Sequence, residues 1–463
     1  MGSELPHSGS RKNDLQPSSI HRTSIEAQAG IGGLRSSSAI DRIPTEVLSH
    51  ILDFAIQTSS PLCFCHGHRK EKLATVSRTW GSIIFSTPRF WRIINISPFW
   101  PLLSVKKHVE RSHGCLLDIV IHDFWDTYPC PEKFTELLDI VVPHIERWRS
   151  VTVRCPNSDI FPLLLRKLGN STLPRLVHID VSGSRDADVR LVRLLRPETT
   201  PALERLRLNC GSFPDDGRGA PAVFTFSSQS FSQKLTTLSL VIFHHLSLRP
   251  DSIILPLLTS LSLYAAKPRR QIEAIVAPKL ISFCYESGRF SSIKLSTVFD
   301  GLQSRFSSIQ NLVLSSQYGY LEPPDAETVC LTFPNVRNVE MPIKYTSAVF
   351  GARKNNSSPA DLWNQLQCLV IDSSRFSQER NGHQLKWWIK RRSVKDQPKL
   401  RIVFTNFPPE RYGVFVDAST SPQSLYNSLR EHCTIELMNV SMTVDVELTL
   451  RTNSVPQMVR IAA

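Results

Sequence analysis

Four side chains able to bind a metal fall within six residues, in Cys63-Phe64-Cys65-His66-Gly67-His68. Thiolates and imidazoles are the usual ligands of zinc, but a zinc site separates its ligand pairs so that the chain can wrap the ion tetrahedrally. Crowded into one short run, these four are expected to belong to a loop and to hold no metal. A second grouping sets Lys386, Lys390, Arg391, Arg392 and Lys395 around Trp387 and Trp388. Cations beside indoles can take phosphates and stack bases. On one helix, however, the same pattern is more often a solvated face with the tryptophans packed beneath it, so nucleic acid is not the expected partner. No Gly-rich phosphate loop, Gly-x-Ser-x-Gly elbow, His-Glu-x-x-His helix or kinase signature set occurs. The chain is therefore expected to bind rather than to catalyse, and to need no cofactor.

The bulk composition agrees with a binding protein. At 463 residues, with 41% hydrophobic and 21% charged side chains, the chain can bury a sizeable core and exceeds the usual size of one compact domain. Lys and Arg outnumber Asp and Glu by 54 to 41, a formal charge of +13, but the cations are spread along the chain. Ten cysteines are too sparse for a disulfide scaffold and mostly lie in apolar runs, as do Cys210, Cys284 and Cys368, which fits reduced, buried thiols. No basic stretch leads into an apolar core at the N-terminus, and no run of about 18 apolar residues offers a membrane span. Met1-Gly2 begins a myristoylation pattern, but Pro6 stands where Ser or Thr is needed. A cytoplasmic or nuclear protein without a membrane partner is expected.

The elements that must position any binding surface can be read in order. Residues 1–39 are rich in Ser, Gly and charge and cannot offset the entropy of ordering, so a disordered tail is expected. A helix then starts near Asp41-Arg42-Ile43-Pro44-Thr45-Glu46, with Pro44 at its first position and Glu46 facing the positive end of its dipole. Val47, Leu48, Ile51, Leu52 and Ala55 form one stripe along it. After a break around Thr58 to Arg69, the spacing of Leu73, Val76, Trp80, Ile83 and Ile84 predicts a second amphipathic helix ending at Ser86-Thr87-Pro88. Arg89-Phe90-Trp91 follows, and then Ile94 and Ile96 alternate with polar neighbours as in a strand.

The series Ile43-Pro44-Thr45-Glu46-Val47-Leu48-Ser49-His50-Ile51, Val76-Ser77-Arg78-Thr79-Trp80 and Ser86-Thr87-Pro88-Arg89-Phe90-Trp91 resembles an F-box in its fungal F-box-like form. Ser77 stands where that family often has Cys, and the segment between the two helices is longer than usual. The resemblance covers about an eighth of the chain, residues 41–97. It implies a helical unit over 40–97 that docks on a Skp-type adaptor and, through it, on a cullin ligase core. The docking residues it implies are Ile43, Pro44, Val47, Leu48, Ile51, Leu52, Val76 and Trp80.

Beyond a connecting segment over 98–140, the stretch 141–463 carries a repeated frame. Its first apolar positions are Trp148, Leu176, Leu203, Leu235, Leu258, Leu280, Ile309, Val336 and Leu366, 22 to 32 residues apart. Three residues on stand Val151, Ile179, Leu206, Leu238, Leu261, Phe283, Leu312, Val339 and Leu369, and two further on a third apolar set from Val153 to Ile371. This approximates a Leu-x-x-Leu-x-Leu repeat. Burying three large side chains contributes about 5–9 kcal/mol, far less than the cost of ordering some 27 residues at about 1–2 kcal/mol each. Each unit must therefore lean on its neighbours. The expected fold is α+β overall: a helical F-box followed by an α/β leucine-rich-repeat-like solenoid. An irregular α/β domain with alternating buried strands is the competing arrangement. Proline before several frames, as in Leu173-Pro174-Arg175-Leu176, suits the start of an extended strand.

Two functions follow from this reading. One is a substrate-recruiting adaptor of an SCF-type ubiquitin ligase that presents an unknown protein target on the repeat region. The other is a protein-interaction scaffold without a ligase role. The residues between the inward positions, Thr152, Asp180, Arg207, Ser239, Ser262, Val313 and Glu340, should point outward and share no single character that names a target.

Overall fold

A computed structural model of the chain describes residues 42–57, 66–122, 131–155, 160–182, 194–209, 233–242, 248–265, 268–287, 294–316, 321–353, 355–373, 381–394, 398–406 and 429–438. The expected tail over 1–39 lies outside the described residues. The chain divides into two compact units, Met1–Ile51 and Leu52–Ala463, so the division falls inside the first helix and not near residue 97.

The helices are α1 (Thr45–Gln57), α2 (His66–Ala74), α3 (Arg78–Ser86), α4 (Leu102–Arg111), α5 (Pro131–Val141), α6 (Ile160–Leu168), α7 (Arg269–Ala274), α8 (Leu295–Phe299), α9 (Gln303–Phe306), α10 (Pro323–Thr332), α11 (Thr346–Phe350) and α12 (Asn381–Val394). The strands are β1 (Ile93–Ile96), β2 (Leu117–His122), β3 (Trp148–Arg154), β4 (His178–Ser182), β5 (Arg205–Asn209), β6 (Thr237–Ile242), β7 (Ile253–Ile254), β8 (Ser260–Ala265), β9 (Ile275–Val276), β10 (Ser282–Ser287), β11 (Asn311–Ser316), β12 (Asn338–Pro342), β13 (Cys368–Asp372), β14 (Arg401–Thr405) and β15 (Thr434–Met438). Thirteen of them form one sheet whose order follows the chain, and β7 pairs with β9 apart from it. Every pairing among the described residues is parallel. Mixed helix and strand around a large parallel sheet is thus an α/β arrangement.

The register explains why the apolar frame recurs. Val151 pairs with Ile179, and the same row runs on through Leu206, Leu238, Leu261, Phe283, Leu312, Val339 and Leu369. All nine are buried, and they belong to one core with the apolar residues of α5 and α6. The first residue of each frame is buried too, from Trp148 to Leu366. Parallel strands alternate their side chains with period two, so one row of this kind covers the helices while its neighbour faces away.

Three features differ from the sequence reading. The sheet begins before residue 141: β1 and β2 are its first strands, and the stretch 98–140 carries α4, β2 and part of the core instead of a plain connector. β2 is Leu-Asp-Ile-Val-Ile-His, in which Val120 breaks the alternation that marks the later frames. The second helix is two, α2 and α3, because Ser77 turns its side chain back to accept from the Trp80 N–H at 3.1 Å and restarts the helix. Gly81 lets the two helices meet, since a Cβ there would lie 2.9 Å from the Ala74 carbonyl oxygen. Finally, proline precedes the frames as a turn residue and not as part of a strand. The amides of Leu176, Leu203, Leu258 and Leu280 donate to the carbonyls of Leu173, Thr200, Leu255 and Ala277, which places Pro174, Pro201, Pro256 and Pro278 second in four-residue turns, where their fixed φ is favourable.

Candidate interaction surfaces

In the first unit, Pro44, Val47 and Ile51 are exposed, the latter two to 48% and 45%. Ile43 is half-buried and Leu48 is buried. In the second unit Leu52 is buried, Val76 is 55% exposed and Trp80 is half-buried. The eight expected docking residues therefore separate into four exposed ones, Pro44, Val47, Ile51 and Val76, two half-buried ones, Ile43 and Trp80, and two buried ones, Leu48 and Leu52. Phe54, 69% exposed, was missed in the sequence, although three-residue spacing from Ile51 on α1 was enough to find it. Phe85 on α3 is exposed as well.

Behind α3 lies a stack of cations on aromatic rings. The Trp91 indole N–H donates to the Ile84 carbonyl at 2.8 Å. Its ring carries the Arg111 guanidinium at 4.5 Å and the Lys70 ammonium at 5.1 Å, with His108 edge-on at 4.8 Å. Lys70 is buried and its pKa is lowered to about 8 by desolvation. Arg-Phe-Trp thus serves packing: Phe90 and Trp91 are both buried.

Cys63 and Cys65, and the side chains of His66 and His68, lie outside the described residues. Among the described residues no group of three His, Cys, Asp or Glu is placed to hold a metal ion. Among the described residues Cys115, Cys155, Cys284, Cys330, Cys368 and Cys433 are not joined in disulfides, and Cys210 is not described. Burial pushes the Cys284 thiol up to about 12 and Cys433 to about 11, which suppresses thiolate chemistry.

No known family model matches the chain, and no curated protein matches it.

The remaining surface is the sheet face turned away from the core. The residues expected to point outward, Thr152, Asp180, Arg207, Ser239, Ser262, Val313 and Glu340, share one register row in which Cys284 stands between Ser262 and Val313; Asp180 and Cys284 in this row are buried. Charge is not uniform along it. Over β2 to β5, Asp118 accepts from Arg149 Nε at 3.0 Å and Ser150 Oγ at 2.7 Å, and Asp180 sits between Arg154 and Arg207 at 3.8 and 3.9 Å. With Arg205 this end is basic. The half-buried His178 has a lowered pKa, chiefly from desolvation, with nearby Asp180 opposing the shift. Over β12 to β15 stand Glu340, Asp372 and Glu436 against Arg401, which pairs with Glu436 at 2.6 Å. Desolvation of the carboxyl by its surroundings first, and the neighbouring Asp372 second, raise the Glu340 carboxyl, although the residue as a whole is exposed. This end is acidic.

The basic and tryptophan-rich cluster is divided by α12. Trp388 and Arg392 are buried, Trp387 is half-buried and Lys390 is exposed; Lys395 is not described. Arg391 stacks on Trp387 at 4.4 Å and pairs with Asp361. Burial opposes ionisation of Asp361, yet hydrogen bonds from the Ser358 N–H, Arg391 and Trp388 hold its carboxyl below the ordinary value. Two of the five cations thus face protein, not solvent.

Proposed function

We propose that this chain is a substrate-recruiting adaptor of an SCF-type ubiquitin ligase. In this reading the segment over 40–97 is an F-box-like unit that docks on a Skp-type adaptor, and the later chain is a leucine-rich-repeat-like solenoid whose open sheet face holds a protein target. The observation that carries the proposal is the pattern on α1. Val47, Ile51 and Phe54 are exposed while Leu48, Leu52 and Ile56 are buried, and uncovered large apolar groups at helical spacing favour a partner surface. The chain-ordered parallel sheet, with its apolar frame in register, supports the repeat reading. Catalysis belongs to the partner subunits, and this chain contributes proximity by raising the effective concentration of the target. A target with an acidic and a basic end suits the polarity of the open face. Among the described residues no helix is long and apolar enough to cross a membrane, which is compatible with a cytoplasmic or nuclear site of action.

The test is calorimetry or pull-down with a Skp-type adaptor, with circular dichroism as a folding control. Pro44→Ala and Val47→Ala are expected to weaken binding by about thirty-fold, the loss of roughly 2 kcal/mol typical of a central interface residue. Co-purification of a cullin favours the ligase role. Adaptor binding without a cullin leaves the scaffold role, and no adaptor binding removes the F-box assignment.

A further inference from the structure

Helix α12 closes over a small polar cavity of about 80 Å³, lined by Asp361, Trp363, Asn364, Trp388, Arg391 and Arg392. Two donors on this lining have no partner, Trp363 Nε1 and Arg392 Nε. Their residues are 0% and 7% exposed, so bulk water does not satisfy them. The far end of Arg392 is already fixed, donating to the Leu366 carbonyl at 2.8 Å. The acceptor nearest to hand is also occupied. The Asp361 carboxylate takes Trp388 Nε1 at 3.0 Å and the Ser358 N–H at 2.9 Å, and both of its oxygens take Arg391. Arg391 and Arg392 against Asp361 leave one positive charge in excess.

These facts constrain the occupant. A water molecule could accept from the two orphan donors, but the Asp361 carboxylate already takes four hydrogen bonds, and for the water's own protons the side chains of this lining leave only the Asn364 amide oxygen against two guanidinium groups. An anion accepts from every side and neutralises the excess charge. The cavity exceeds the roughly 30 Å³ share of one water and lies well below the roughly 300 Å³ at which pockets for organic ligands begin. We propose that the cavity binds a small monovalent inorganic anion such as chloride, held by Trp363 Nε1 and Arg392 Nε. The anion links α12 to the turn that leads into β13. This role absorbs the part of the basic, tryptophan-rich cluster that faces inward, and it is independent of the adaptor reading.

The experiment uses the full chain. Chloride is exchanged for gluconate at constant ionic strength, and the midpoint of thermal unfolding is expected to rise with chloride and to saturate. Crystals soaked in bromide should show an anomalous peak within hydrogen-bond reach of Trp363 Nε1 and Arg392 Nε. Trp363→Phe keeps an aromatic ring and removes the N–H, and it is expected to weaken the chloride response by about tenfold. If that variant fails to fold, the bromide peak in the unaltered chain decides. A cavity without bromide, or a salt response that never saturates and is equal in Trp363→Phe, would overturn the proposal and leave ordered water as the occupant.

Discussion

Lys70 is an ammonium group buried against an indole, with no ion pair among the described residues, and its titration has a consequence for stability. Its pKa is about 8 in the folded chain and 10.5 in its ordinary state. Between those values the unfolded chain binds more protons than the folded one, so stability rises with pH across the window and the full cost is present below pH 8. Lys70→Met is expected to stabilise the protein at pH 7 by on the order of 1–3 kcal/mol, the desolvation relieved less the cation–π attraction lost. The gain should shrink between pH 8 and 10.5. Urea unfolding at a series of pH values measures it, and an unchanged difference across that range would mean that the ammonium is solvated.

The helices around this lysine are set by capping and close approach more than by apolar spacing. Ser77 stands where the resemblance leads one to expect Cys, and its hydroxyl is the N-cap of α3. Ser77→Ala should therefore cost about 1 kcal/mol of stability, read as a lower denaturation midpoint, whereas Ser77→Asp should retain most of it. Gly81→Ala meets backbone, not a movable side chain, and should cost about 1–3 kcal/mol. On α1 the exposed Phe54 tests the adaptor proposal from a side chain that contributes little to the core. Phe54→Ser is expected to leave the unfolding midpoint within about 0.5 kcal/mol of the original and to weaken adaptor binding at least tenfold in a titration. Equal binding would place the docking surface elsewhere.

Because the thirteen-stranded sheet follows chain order, each of its strands hydrogen-bonds only to its sequence neighbours in that sheet. Stability then passes from strand to strand. At β10 the Phe283 ring packs with Phe299, Phe306 and Phe333 at centroid distances of 6.1, 5.0 and 5.7 Å. Phe283→Ala should cost about 3–5 kcal/mol, and hydrogen exchange should rise most in β8 to β12, with β2 to β4 much less affected. A uniform rise over all strands would show that the sheet unfolds as one block. The buried rows of this sheet were legible in the amino-acid order, because each frame repeats the same local demand to hide two side chains of one strand face. The Trp148 to Leu366 positions accordingly reappear as neighbours in one core. Helical spacing put Val47, Leu48, Ile51 and Leu52 in one stripe, and it did not reveal that Val47 and Ile51 are exposed while Leu48 and Leu52 are buried. The membership of β1, β2, β14 and β15 was not legible: the alternation of Ile94 and Ile96 marked β1 as a strand without joining it to the repeats, β2 lacks the alternation, and the frames end at β13. Nor could spacing reveal that Lys70 and Arg392 are buried, or that Trp363 Nε1 and Arg392 Nε lack acceptors. Burial and hydrogen bonding of such groups depend on contacts between segments some 20 to 30 residues apart, and long-range packing sets these while local pattern does not.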